Sequence, residues 1–336
     1  MNDLQNKVVK TTCPYCGVGC GVLASLDEKG VVSIKGDPDH PANYGRLCSK
    51  GAALGETINL QDRLLYPEIK GEQVSWDQAL GTVSGRFSEI IAEHGADAVA
   101  FYVSGQLLTE DYYVANKLMK GFIGSANIDT NSRLCMSSAV AAYKRSFGED
   151  CVPCSYEDLD QANLIVLTGS NAAWCHPVLF QRILKAKEAN PALKIINIDP
   201  RETQTSTAAD IQLSLKPGTD AVLFNGLLNF LFESDAQDIY FTDNNTNGLE
   251  EALRSAKASA ASIELVSQQC VLDEKDVHEF YDLFTNTEKV VTVFSQGINQ
   301  SSSGVDKGNA IINCHLFTGR IGRPGMGPFS FTGQPN

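Results

Sequence analysis

The sequence has no apolar run of transmembrane length, no twin arginine, and no apolar core in its opening MNDLQNKVVKTTC. A bilayer span needs about 20 consecutive apolar residues, and an export signal needs an apolar core or the paired arginines. The expected location is therefore the cytoplasm. Basic residues are scarce: 27 lysines and arginines stand against 40 aspartates and glutamates, a formal charge of −13. That balance repels nucleic acid and anionic membranes, so neither is an expected partner. It also repels small anions at long range, so an anion site has to be a local basic pocket. No G-x-G-x-x-G opens a helix after the first α/β strand, which removes the nicotinamide dinucleotide fingerprint. No internal repeat and no low-complexity linker is present.

Cysteine is the residue in surplus. Ten of them, in a chain read as cytoplasmic, argue against a disulfide framework and for metal binding or chemistry. Four fall in Cys13-Pro-Tyr-Cys16-Gly-Val-Gly-Cys20, then 27 residues, then Cys48. Three closely spaced thiolates and a distant fourth suit the corners of a cubane 4Fe–4S cluster. Gly17, Gly19 and Gly21 let the backbone wrap tightly and aim N–H groups at the sulfurs. A structural zinc and four ordinary buried thiols are the alternatives. Zinc usually takes paired knuckles, and here the fourth cysteine stands alone. Arg46 and Lys50 flank Cys48. They are either a solvated loop or, at Lys50, a cation reaching past the cluster toward a second redox centre.

The rest of the chain reads as a small Gly-rich β module followed by an α/β protein. Strands are expected over 22–25 and 31–35. A helix follows Ser75, with Leu80, Val83, Phe87, Ile90 and Ile91 inward and Gly95 at its end. A buried strand is expected over 96–103. A helix is expected over 109–123, with Tyr112, Ala115, Leu118, Met119 and Phe122 inward. From Asn163 strands and helices alternate: strands over 164–168, 194–198, 211–215 and 290–295, helices over 177–189 and about 308–319. Residues 233–288 read as polar helices without a motif, and 319–336 as a run of Gly/Pro turns. Such alternation builds a parallel sheet that binds ligands at its strand ends. Gly169–Asn171, Asp199–Arg201, Lys216–Asp220 and Gln296–Asn299 sit at such ends. Each alone is a routine turn; together they suggest an extended nucleotide-like ligand. Asp199 would accept hydrogen bonds from a ribose or an amino-purine edge. Cys151 and Cys154 are either a redox dithiol or two spare thiols on a loop.

The cluster motif, Arg46–Gly51, Asn131-Ser-Arg-Leu-Cys135-Met-Ser-Ser-Ala139-Val, Asp199-Pro-Arg201, Lys216-Pro-Gly-Thr-Asp220 and the Gly/Pro-rich end carry a resemblance. From residue 11 to 336 the chain resembles the molybdenum oxidoreductases that carry a bis(molybdopterin guanine dinucleotide) cofactor. Among these it looks most like the assimilatory nitrate reductases. The resemblance implies that Cys135 ligates molybdenum, a role that suits a soft thiolate. It implies that Lys50 lies on the electron path between cluster and pterin. Gly169, Asn171, Asp199, Arg201, Gly218 and Asp220 would contact one guanine dinucleotide. Gln296, Gly297, Gly322, Met326 and Gln334 would approach the pterins. Formate dehydrogenases of this family have a His directly after the metal-binding residue, where this chain has Met136. A methionine accepts no proton from formate, which favours nitrate as substrate. Arg133 would either supply a positive field to the anion or form a salt bridge that holds its loop.

The implied fold is α/β, with a β-rich cluster domain before Rossmann-like domains. The expected domains are 1–62, then 63–145 with 286–336, and 146–285 inserted between them. The implied reaction reduces nitrate to nitrite and water with two electrons and two protons. Ferredoxin, flavodoxin or an NAD(P)H-linked flavoprotein would be the electron donor. Formate dehydrogenase is the alternative activity, and a non-catalytic electron-transfer subunit or an inactive fragment the alternative class. Family members are considerably longer, so this chain is expected to be an N-terminal part.

Overall fold

The computed structural model describes residues 8–331. Chain contacts divide it into two compact units, one ending at Arg133 and one starting at Leu134. The fold is mixed α/β, as the alternation predicts.

In the first unit, Val8–Thr12, Gly21–Leu26 and Val32–Gly36 form an antiparallel meander. Thr12 pairs with Gly21, so residues 13–20 form the loop of a hairpin. Asp27 accepts backbone N–H groups from Lys29 and Val31, which closes the second turn. Helix Trp76–His94 begins with a capping box in which Ser75 and Gln78 satisfy each other's backbone N–H groups. Gly95 then leaves the helix at φ 87°.

Two expectations fail in this unit. The segment 96–103 is not one buried strand: Ala96–Ala98 is a 3-10 turn, and only Phe101–Val103 pairs, in parallel with Ile128–Thr130. Both faces of that two-stranded ribbon stay partly open. The apolar stripes of the helices are not covered either. Leu80 and Val83 are 59% and 52% exposed, and Phe122 is 75% exposed, while Met119 alone of its helix is buried. The second helix also changes pitch, from α over Thr109–Asn116 to π over Lys117–Ile123. That shift turns its later residues away from the register of a regular α-helix.

The second unit is a three-layer α/β/α sandwich. Its sheet runs in the order Ile211–Leu213, Lys194–Ile198, Leu164–Thr168, Val290–Phe294, Gly327–Ser330, with every neighbouring pair parallel. Alternate residues of each strand serve opposite layers. Leu164, Val166, Ile196, Ile198, Val290 and Phe294 pack under the helices 137–147, 220–233 and 304–317. Ile165, Leu167, Ile195, Val291 and Val293 pack on the other face with Phe180 and Ile183. Each fully buried side chain of this size contributes about 1.5–3 kcal/mol. This two-sided burial is why the strands read as continuous apolar runs.

The edge strand Gly327–Ser330 falls inside the segment expected to be turns. Pro328 hides it, because proline carries no N–H for a ladder. An edge strand tolerates that residue when the missing donor faces away from its neighbour. The buried Tyr143 hydroxyl accepts the Ser330 N–H at 2.9 Å and ties this edge to helix Ser137–Phe147. Because Val290–Phe294 pairs directly with Leu164–Thr168, residues 286–331 share one sheet with 164–213. The contact division falls between Arg133 and Leu134.

One buried group makes the core sensitive to acid. His315 is fully buried, with Nε2 2.8 Å from Thr292 Oγ1 and its ring edge-on to Phe284. Burial, with the Arg320 guanidinium nearby, holds its imidazole well below the usual range. The unfolded ring protonates near pH 6.5, whereas the folded ring stays neutral. Its contribution is therefore present above about pH 6.5 and is lost as the pH falls, at a limiting slope of about 1.4 kcal/mol per pH unit. Urea unfolding at about pH 7.5 and about pH 5.5 should show a larger acid loss in the wild type than in His315→Gln. Equal losses in the two proteins would refute this assignment.

Candidate functional sites

The hairpin loop 13–20 gathers the first three candidate ligands. Cys13, Cys16 and Cys20 are all buried, and the Cys13 N–H closes the loop on the Cys20 carbonyl at 2.8 Å. Gly19 makes the sharp return at φ 63°, a conformation that glycine adopts without a Cβ penalty. At Gly17 a Cβ would stand 2.7 Å from the Leu107 carbonyl oxygen. Cys48 arrives from the 37–47 loop as the N-cap of helix Ser49–Ala52, and its sulfur accepts the Gly51 N–H at 3.5 Å.

Asn43, which the sequence reading overlooked, joins the two parts. Its buried carboxamide accepts the Gly21 N–H at 2.9 Å and donates to the Gly21 and Arg46 carbonyls at 3.0 and 2.8 Å. Cys20 and Cys48 thus hang from one side chain. The signal that would have found it is an Asn between Pro41 and Gly45, in a loop too long to hold itself.

The electrostatics suit an anionic cluster. Burial, together with Cys16, Cys13 and Cys48, pushes the Cys20 thiol up to about 12. Cys13 is raised by burial, drawn back by a backbone N–H at Tyr15, raised by Cys16 and Cys48, and lowered by Lys50. Each sulfur feels the others, so four thiolates here need a cationic core to hold them. Lys50 is exposed and close enough to act on Cys13. Among the described residues no three Cys, His, Asp or Glu are grouped as a metal-ion site.

The strand order of the second unit reverses between Leu164–Thr168 and Val290–Phe294. In open parallel sheets this switch point, beyond the carboxyl ends of the strands, is where ligands bind. The exit loops of these two strands cross at Gly169 and Gly297. The Gly297 N–H donates to the Gly169 carbonyl at 2.9 Å. A Cβ on Gly297 would lie 2.5 Å from Gly169 Cα, and one on Gly169 would lie 2.8 Å from Gly297 Cα. Thr168 Oγ1, Ser170 Oγ, Ser330 Oγ and both amide atoms of Asn299 are buried beside these strand ends and lack a partner among the described residues. Unpartnered buried polar atoms at one sheet edge fit a polar ligand or its bridging waters.

The other predicted residues divide into two groups. Asn171, Asp199, Arg201 and Gly218 do sit on strand exits at this edge. The Asn171 amide oxygen accepts from Thr205 Oγ1 at 2.9 Å, and Thr205 in turn accepts the Ala173 N–H. Asp199 accepts the Arg201 N–H at 2.9 Å, which shapes the loop after Ile198. Gly218 turns at φ 93° with open space around it. Asp220 occupies the same loop, but its carboxylate faces inward to Lys307 Nζ at 2.7 Å. That pair is buried on both sides and bridges helices Asp220–Glu233 and Gly304–Phe317. Gln296 accepts from Ser295 Oγ at 2.6 Å. Gly322 and Met326, however, precede the strand Gly327–Ser330 in a parallel sheet, so they lie at the opposite edge. Gln334 lies outside the described residues. Cys154 packs beneath this far edge, its thiol held at the Met326 carbonyl and raised to about 12 by burial, which does not suit a reactive dithiol.

Cys135 ends the short helix Ser132–Cys135, and Met136 leads into helix Ser137–Phe147. The Cys135 sulfur accepts from Gln300 Nε2 at 3.0 Å. Arg133 pairs with Asp129, its Nε lying 3.0 and 2.8 Å from the two carboxylate oxygens.

Residues 63–335 match the model of the molybdopterin oxidoreductase family, and residues 6–60 match the molybdopterin oxidoreductase Fe4S4 domain. A nitrate reductase of Klebsiella oxytoca is 57% identical over 327 residues, covering 97% of this chain and 37% of that protein. A periplasmic nitrate reductase of Desulfovibrio desulfuricans is 40% identical, covering 100% of this chain and 46% of that protein. The chain thus spans less than half the length of these curated relatives. Acetylene hydratase from Pelobacter acetylenicus shares the fold with a TM-score of 0.73 at 23% identity, over 91% of this chain and 42% of its own.

The two kinds of glycine give opposite expectations. Gly297→Ala forces two backbones apart and should cost about 1–3 kcal/mol of stability and most of the bound cofactor. Gly322→Ala meets open space and should cost only the left-handed penalty of about 1–2 kcal/mol, with cofactor content unchanged. Thermal melts and cofactor content of both variants measure this. Equal cofactor loss in the two would refute the switch-point assignment.

Proposed function

We propose that this chain, which belongs to the molybdopterin oxidoreductase family, is the cluster- and cofactor-binding part of a nitrate reductase. The observation that carries the reading is Cys135 hydrogen-bonded to a loop that leaves the switch point of the parallel sheet. The family's molybdopterin cofactor supplies two-electron oxygen-atom transfer when bound. Cys13, Cys16, Cys20 and Cys48 hold the 4Fe–4S cluster, and Asn43 and Gly51 N–H fix the sulfurs. Cys135 ligates the molybdenum. Gly169 and Gly297 hold the two exit loops together at the strand ends, and Asn171, Asp199, Arg201 and Gly218 line the loops that a dinucleotide would meet. Lys50, exposed beside Cys13, lies on the path by which electrons leave the cluster.

Nitrate is favoured over formate by Met136, which has no proton-accepting group. The nitrate reductases of similar sequence support the same substrate. The surplus of cysteine is read as metal ligation in a reducing compartment, so the cytoplasm is the proposed location. No helix among the described residues is long and apolar enough to cross a membrane. A ferredoxin, a flavodoxin or an NAD(P)H-linked flavoprotein serves as electron donor.

The test measures iron and molybdenum in the holoenzyme and assays nitrate and formate with a viologen dye. Nitrate turnover with both metals present is expected, and Cys135→Ala should keep the iron but lose molybdenum and activity. Iron without molybdenum in the wild type would sink the reading. Formate oxidation without nitrate reduction would replace nitrate as substrate.

A further inference from the structure

Gln300 is the residue that joins Cys135 to the loop leaving the switch point. Gln300 Nε2 lies 3.0 Å from Cys135 Sγ, although 165 positions separate the two residues. Both belong to the second unit. The contact is also anchored. Gln300 caps helix Gln296–Asn299, its N–H donating to the Gln296 carbonyl at 2.8 Å. The start of that helix is fixed by the Gly169–Gly297 crossing. Within it Ile298 is fully buried in the core, and Asn299 is buried beside it. Its far side is fixed at Gly304, where a Cβ would lie 2.7 Å from the Asn299 carbonyl oxygen and 2.9 Å from Ser138 Cβ. Ser138 lies in the first turn of the helix that follows Cys135. The loop that carries Gln300 therefore has close backbone contacts on both sides of the residue.

The chemistry fixes the sense of the bond. A thiolate only accepts, so a carboxamide beside it must present its NH2 group. A neutral donor on a ligating sulfur withdraws electron density from it, and such hydrogen bonds set the potentials of sulfur-ligated metal centres. From this geometry we propose that Gln300 is a positioning residue: its carboxamide fixes the Cys135 side chain and raises the potential of the metal centre that the sulfur ligates. The proposal rests on Cys135 as the molybdenum ligand.

The experiment separates the two claims. In the holoenzyme, Cys135→Ala tests the ligand by molybdenum content. Gln300→Leu and Gln300→Glu test the donor by the midpoint potential of the molybdenum centre and by kcat against KM for nitrate. Gln300→Leu should retain molybdenum, lower the midpoint potential, and lower kcat roughly tenfold with little change in KM. Gln300→Glu keeps the length but turns a donor into an acceptor, and should move the midpoint further in the same direction. If Gln300→Leu binds no molybdenum, Gln300→Asn replaces it, since one methylene less breaks a 3.0 Å contact. An unchanged midpoint and kcat in variants that hold molybdenum would overturn the role of Gln300, while loss of molybdenum in Cys135→Ala would leave the ligand standing. Full molybdenum in Cys135→Ala would overturn the ligand, and the proposal with it.

Discussion

Two peptide backbones touch at Gly169 and Gly297, and much of the second unit is arranged around that contact. A parallel sheet whose strand order reverses leaves two exit loops diverging from adjacent strands. Here they converge instead, joined by one N–H···O bond and close enough that neither position admits a Cβ. The crossing sets the start of helix Gln296–Asn299. Through Gln300 it sets the surroundings of Cys135, which belongs to a distant part of the sequence. Two glycines thus relay the geometry of a sheet core to a side chain that lies outside it. Side chains on the loops alone would give no such precision, because loop backbones wander unless something solid holds them.

The cluster loop meets the same need by different means. Its anchor is a side chain, Asn43, whose three hydrogen bonds join the hairpin to the segment carrying Cys48. A buried carboxamide with its donors and acceptor satisfied is rigid, and each bond is worth roughly 0.5–1.5 kcal/mol. Rigidity matters more here than the energy does. Burial disfavours the charged forms of Cys13 and Cys20.

The parts legible in the sequence were those governed by short-range rules. The C-x2-C-x3-C spacing, the capping box at Ser75, and the apolar strands from Leu164 to Phe294 each follow from local chemistry, and the structure contains each element near its expected place. What was illegible depended on partners far away in the chain. Strand Gly327–Ser330 was hidden by Pro328, because only its edge position makes proline acceptable. Gly322 and Met326 share a Gly/Pro-rich segment with the strand they precede, and only the strand's direction shows which end of the sheet they occupy. Leu80, Val83 and Phe122 kept the periodicity of buried faces and are exposed. Periodicity records what a helix face would bury and is silent on whether a cover is present. Asn43 and Gln300 escaped notice because a lone amide has no spacing to read.

The charge balance joins these observations. A chain of formal charge −13 has to create favourable surroundings for sulfur anions and oxyanions. Arg133, the cation nearest Cys135 in sequence, is engaged by Asp129, and such an exposed pair projects little net field. The groups that meet the sulfurs are mostly uncharged: the Gly51 N–H on Cys48 and the Gln300 amide on Cys135. Dipoles of this kind stabilise negative charge at contact distance and cost far less to desolvate than a buried lysine or arginine. They also leave the long-range field acidic. In such a field an oxyanion is held by contacts made at short range, so selectivity rests on geometry. That is why the positions of two glycines and one amide carry so much of the site.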